Sequence, residues 1–85
     1  MPFLLPATVT QQTATQLEVE GLRNLTSLAN IDCSQLKDFD STVLAVLLAW
    51  RKRLLENRQS LFIERAPEKL KVLAKLYGVS ALLGL

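Results

Sequence analysis

Ile31-Asp32-Cys33-Ser34-Gln35-Leu36-Lys37-Asp38-Phe39-Asp40-Ser41-Thr42-Val43-Leu44-Ala45-Val46-Leu47-Leu48-Ala49-Trp50 passes from a strand signal to a helix signal within twenty residues. In the first part Ile31, Cys33 and Gln35 fall on one side of an extended chain, because successive side chains alternate across a strand. A central strand is expected there. In the second part Asp40, Ser41 and Thr42 stand directly before a run of helix formers that lasts to about Asn57. Short oxygen-bearing side chains at that place accept backbone N–H groups that the first helical turn leaves unpaired, so a helix is expected from Thr42.

Upstream, Gln16 to Glu20 alternates polar and apolar residues, which puts Leu17 and Val19 on one face of an expected half-buried strand ending near Gly21. Arg23 to Asn30 has room for one helical turn. Thr8 to Gln16, rich in Thr and Gln, reads as exposed strand or loop, and residues 1–16 stay unplaced. Downstream, Ser60 to Arg65 has the branched and aromatic content of a buried strand. Pro67 pre-sets the first turn of a second helix, Glu68 suits its positive end, and Gly78 after Tyr77 makes a natural stop. Strands alternating with helices predict an α/β fold, a mixed β-sheet with helices packed on it, in a single domain spanning residues 1–85.

With 49% hydrophobic and 21% charged residues over 85 positions, the composition is that of one folded domain with a single small core. The chain has no His, one Cys (Cys33) and three Gly. A Ser-His-Asp triad is excluded, as are zinc sites built from Cys and His and phosphate loops that need closely spaced glycines ahead of a helix. No base with a tuned pKa is in evidence, so no enzyme, metal or cofactor is expected. Cys33 is expected as a small buried hydrophobe, and a lone thiol fits a reducing cytoplasm.

Charge is uneven. Residues 1–50 carry two basic against five acidic side chains, residues 51–85 eight against three. A basic half suits an acidic protein partner, a membrane surface or nucleic acid, and it also suits a plain solvated helix face. A nucleic-acid role would fall to Arg51, Lys52, Arg53, Arg58, Lys69, Lys71 and Lys75, but no binding module and little aromatic material accompany them, and no nucleic-acid partner is expected. The longest apolar run, Val43 to Trp50, is far below the ~20 residues of a spanning helix. Met1 to Thr10 lacks the charged and apolar segments of a secretory signal.

At about 100° per residue the helix from Thr42 carries an apolar arc wider than one sheet contact needs. Leu44, Leu47, Leu48, Leu54 and Leu55 would cover the sheet, while Val43, Val46 and Trp50 extend the arc round an adjoining face. Two readings stand. The second helix, whose Leu70, Leu73, Ala74 and Tyr77 share a face with Tyr77 as a core aromatic, covers the excess; or Val43, Val46 and Trp50, bordered by Arg53, dock on a partner.

The segment Ile31-Asp32-Cys33-Ser34, followed by Phe39-Asp40-Ser41-Thr42-Val43-Leu44, resembles the signature of STAS domains, in which an I-D-x-S strand precedes a D-S-S/T-x-L loop that opens a helix. Val72-Leu73-Ala74-Lys75-Leu76-Tyr77 before Gly78 is most similar to the MlaB-like branch, the small STAS subunits of bacterial phospholipid ABC transporters. The resemblance covers roughly residues 17 to 80. It implies a STAS-like fold whose first helix, confined between Gly21 and Ile31, is shortened or absent, since a parallel crossover takes a dozen residues or more.

The resemblance further implies a non-catalytic cytoplasmic adaptor that binds and stabilises or regulates the ATPase subunit (MlaF-like) of a transporter maintaining outer-membrane lipid asymmetry. Such a subunit sits at the inner membrane only through that complex and its permease. The alternative is an anti-sigma-factor antagonist controlled by phosphorylation. Asp40 matches the loop aspartate, Ser41 the hydroxyl after it and the place of an important Thr in MlaB-like proteins, and Thr42 the phosphorylated position of the sigma-regulating branch. Plain capping is compatible with all three. Val43 stands where many members have Gly, and a β-branched residue narrows the backbone there. The expected partner-binding set is Asp40, Ser41, Thr42, Val43, Val46, Trp50 and Arg53, with Thr42 as the phosphate acceptor under the alternative.

Overall fold

The computed structural model describes residues 3–24 and 30–85. Nine elements succeed one another among them: β1 (Phe3–Leu4), β2 (Thr8–Val9), α1 (Ala14–Leu22), β3 (Asn30–Asp32), β4 (Asp38–Phe39), α2 (Thr42–Glu56), β5 (Phe62–Glu64), α3 (Glu68–Leu76) and α4 (Ser80–Leu83). β1 runs parallel to β3 with Phe3 opposite Ile31, and β2 runs parallel to β4 with Thr8 opposite Asp38. β5 flanks β3 on its other side, Ile63 opposite Ile31. β3 is therefore central, as its sequence suggests. Where a mixed sheet was expected, every pairing among the described residues is parallel. Parallel neighbours need crossovers, and α1 and α2 supply them.

The strand expected over Gln16 to Glu20 is the middle of α1. Ala14, Leu17 and Gly21 are its buried residues, at the spacing of one helix face, while Val19 is exposed. An alternation of two apolar residues is too short to separate a period of 2 from one of 3.6, and Leu17 satisfies both. The family helix, expected to be shortened or absent between Gly21 and Ile31, is nine residues long and lies earlier in the chain. Its start is built from threonines: the Thr13 hydroxyl accepts the Thr10 N–H at 3.0 Å, and the Ala14 N–H donates to the Thr10 carbonyl at 2.8 Å. The helical turn expected within Arg23 to Asn30 falls, for residues 25–29, outside the described residues.

α1 packs most extensively on α2, with Trp50 at the centre of the contact. The indole is fully buried, lies edge-on to Phe3 with ring centroids 5.2 Å apart, and donates its Nε1–H to the Glu18 carbonyl at 3.0 Å. Gly21 faces it so closely that a Cβ would stand 2.3 Å from the indole Cε2. Glycine is required here for close approach, not for an unusual φ. Val43, Leu44, Val46, Leu47 and Leu54 complete the buried side of α2, each burial contributing about 1.5–3 kcal/mol before the entropy of ordering is subtracted.

The helix ends follow the sequence. α2 closes with Arg58 in the left-handed region and the Gln59 N–H on the Leu54 carbonyl at 2.7 Å. α3 begins after Pro67 and ends at Gly78, φ 69°, where the Val79 N–H reaches the Ala74 carbonyl at 2.9 Å. Both are 6→1 closures of the kind that favours glycine. Tyr77, expected in the core, is exposed because it sits at the C-cap, past the turn that Leu70 and Ala74 bury. α4, which nothing in the sequence reading anticipates, sends Leu83 into the core.

Candidate functional site

Asp40 follows β4 directly and holds the junction with α2 together. One carboxylate oxygen accepts the Thr42 N–H at 2.9 Å and the Thr42 hydroxyl; the other accepts the Gln11 N–H at 3.1 Å. Its own N–H donates to the Val9 carbonyl at 3.2 Å. The β2–α1 and β4–α2 connections, both following parallel strands, are thereby tied through one side chain. The Thr42 hydroxyl bond, with the Thr42 and Gln11 N–H groups behind it, holds the Asp40 carboxyl below its ordinary value of 3.8. The cap expected from this triplet is thus made by Asp40, and Ser41 makes no capping bond with its side chain.

Ser41 is exposed and Thr42 half-buried. The Thr42 hydroxyl is spent on Asp40, so a phosphate there would face a carboxylate and remove a cap bond. Ser41 carries the accessible hydroxyl of the junction.

The I-D-x-S segment has a parallel role at the end of β3. Asp32 accepts the Ser34 N–H at 2.9 Å and pairs with the Arg65 guanidinium at 3.1 Å. The bonds from Ser34, with the Arg65 charge behind them, depress its pKa. Between these polar ends Cys33 is buried, and burial with the neighbouring Asp32 charge pushes its thiol up to about 12. It stays a neutral thiol at physiological pH, as its expected role as a buried hydrophobe requires.

The seven residues expected to bind a partner do not form one surface. Asp40, Ser41 and Thr42 come together at the junction. Val43, Val46 and Trp50 are 0%, 2% and 0% exposed and belong to the core. The docking role expected of these three is corrected: the excess apolar arc is covered by the chain itself, though by α1 rather than by the second helix. Arg53 is exposed, 3.8 Å from Glu56, and about 18 Å along the axis from Ser41.

What faces outward from α2 is instead an arc of about 80° containing Ser41, Ala45, Leu48, Lys52 and Leu55. Leu48 is half-buried and the others are exposed. Leu48 and Leu55, assigned from sequence to the sheet, are thus the apolar residues left open. At the same end of the molecule Lys69 of α3 lies over the half-buried Phe39 ring, its Nζ 5.4 Å from the centroid. Gln11 and the Phe39–Lys69 contact have no sequence signature, since both depend on loops brought together by the parallel strands. No helix of the described residues is long and apolar enough to cross a membrane.

Parallel strands joined by helical crossovers, with a capped, exposed hydroxyl junction after the I-D-x-S strand, are the parts of a regulatory or adaptor module. Residues 5–84 match the family model described as "Mlab, STAS domain", and the chain belongs to the STAS domain family. Within that family it is of the MlaB type. No curated protein matches the chain.

Proposed function

We propose that this protein is a non-catalytic adaptor that binds the ATPase subunit of a lipid-transport ABC transporter, and so reaches the inner membrane only as part of that complex. The observation that carries the reading is the junction itself. Asp40 fixes the backbone from both sides, so Ser41 is presented on a rigid turn at a helix N-terminus without being needed for the cap. A preorganised exposed site loses little conformational entropy on docking. Beside it, Ala45 and Leu48 offer a small and an apolar side chain on the open face of α2. The MlaB type supports the choice of an ABC ATPase as partner.

Co-expression tests this. The chain should co-purify with the transporter ATPase and its permease, and Ser41→Glu should weaken that association at least tenfold while leaving the thermal midpoint within a degree or two. Ser41→Glu places an acidic group at a helix N-terminus, where it is tolerated, so lost binding reports on docking. Co-purification with a serine kinase in place of the ATPase would return the protein to the anti-sigma-antagonist class.

A further inference from the structure

The backbone groups of residues 3–9 divide between the two edges of the chain that carries β1 and β2. Leu5 donates its N–H to the Asp32 carbonyl at 2.9 Å, the Ala7 carbonyl accepts the Lys37 and Asp38 N–H groups at 2.8 and 2.9 Å, and the Val9 carbonyl accepts the Asp40 N–H at 3.2 Å. These inward bonds belong to odd-numbered residues, and the groups of successive residues in a strand point to opposite edges. Leu4, Pro6 and Thr8 therefore turn theirs outward, where no strand among the described residues pairs with β1 or β2. α1 runs beside this open edge. A hollow of about 180 Å³ lies between them, lined by Pro6 and Thr8 on the strand side and by Thr13, Gln16, Leu17 and Glu20 on the helix side. Gln16 and Glu20 also line a larger hollow, of about 720 Å³, that follows the outward stripe of α1 as far as Arg23. Glu20 is exposed and takes part in no ion pair among the described residues. An open strand edge beside a helix, with a groove between them, is the arrangement that takes up an extended peptide as an added strand: main-chain bonds hold it, and alternate side chains enter the groove.

We infer that a partner protein lays an extended segment along Leu4 to Thr8, with a Lys or Arg side chain on Glu20 and uncharged polar side chains beside Thr13 and Gln16. This goes beyond the adaptor reading and does not depend on it. Backbone chemistry and charge select the occupant. Leu4 and Thr8 offer a donor and an acceptor each, and Pro6 an acceptor alone, so the added strand must bring N–H groups of its own. A second copy of residues 3–9 contains no Lys or Arg to meet Glu20. Paired antiparallel about Pro6, it would also set two prolines opposite one another with no N–H between them. A helical partner, its N–H groups bonded internally, would leave the outward Leu4 and Thr8 groups without a partner. Pro6 blunts the edge against indiscriminate pairing, which leaves the choice of segment to the groove and its carboxylate.

The probe is a random linear heptapeptide library displayed on phage and selected on the full 85-residue chain, followed by amide hydrogen exchange of the chain with a synthetic peptide from the selection. Selected peptides should share a Lys or Arg at one position. The bound peptide should slow exchange of the Leu4 and Thr8 N–H groups at least tenfold, a signature of strand addition that contact with side chains alone does not produce. Glu20→Lys should weaken the peptide at least tenfold, and replacing the peptide's basic residue by Glu should restore affinity to that variant. Glu20 is exposed, so melting should be little changed; should Glu20→Lys unfold the chain, Glu20→Gln decides, with a loss of at least threefold. A library that yields no binding peptide would overturn the inference. So would peptides that bind while Leu4 and Thr8 exchange freely, or whose affinity ignores the charge at residue 20. Protection of the two amides that rises with protein concentration in the absence of peptide would assign the edge to a second copy, and would overturn it too.

Discussion

The two sides of α2 are built from the same kinds of residue and have opposite fates. One carries Val43, Val46, Leu47, Trp50 and Leu54, all buried; the other carries Ala45, Leu48 and Leu55, half-buried or open. Composition does not separate them. What separates them is α1, whose Gly21 lets the helix backbone approach the Trp50 indole and whose Glu18 carbonyl takes up its N–H. An apolar arc wider than a sheet contact is therefore ambiguous until every helix of the chain is placed. In this protein the more aromatic side is interior, and the plainer side next to Ser41 is the one available to a partner.

Substitutions that treat the two sides alike should expose the difference. Trp50→Ala removes the centre of the α1–α2 contact and should cost about 3–5 kcal/mol in denaturant unfolding. A change below ~1 kcal/mol would put Trp50 back at the surface. Leu54→Ala on the same side should cost about 2–5 kcal/mol. Gly21→Ala forces a methyl group into the rigid indole and should cost about 1–3 kcal/mol. Because Gly21 and Trp50 touch, the double substitution should be less damaging than the two added together. Simple additivity would show that α1 does not sit where the contact places it.

Asp40→Asn addresses the junction and should lower stability at neutral pH while flattening its acid dependence. The sign follows from the depressed pKa: the carboxylate's contribution is present above its ordinary 3.8 and disappears as pH falls from there through the lower folded value. Asp32 adds a second group of the same sign, so the variant should flatten the acid limb without abolishing it. An unaltered acid limb would mean that Asp40 does not bridge the two loops. The smallest effect is expected at Leu55→Ala, on the open side, within about 1 kcal/mol of wild type, beside its buried neighbour Leu54.

α2 and α3 were legible in the chain because each has a start signal, a long run of helix formers and a stop: Asp40 to Thr42 and Asn57 for one, Pro67 and Gly78 for the other. β3 was legible from the alternation around Ile31 and β5 from its branched and aromatic residues, although only three residues of each pair. β5 is not the buried strand expected, since it flanks β3 at the edge with Phe62 63% exposed and Ile63 half-buried. The junction was legible too, down to the aspartate that caps it. α1 was not. Its Thr- and Gln-rich start lacks the acids of a usual first turn, Val19 supplies a false alternation with Leu17, and Gly21 reads as a stop although it is a contact. Ala14, Leu17 and Gly21 at helical spacing were the available signal. Missing α1 left Val43, Val46 and Trp50 without a cover, and the expected docking face followed from that single omission.

Trp50 is the only tryptophan in the chain, so acrylamide quenching of its fluorescence reads the account's central claim without interference. The account predicts a blue-shifted emission and quenching far slower than that of free indole, both reverting together when α1 is undocked by denaturant. Fast quenching and red-shifted emission in the folded protein would show that this side of α2 is open to solvent, and would contradict it.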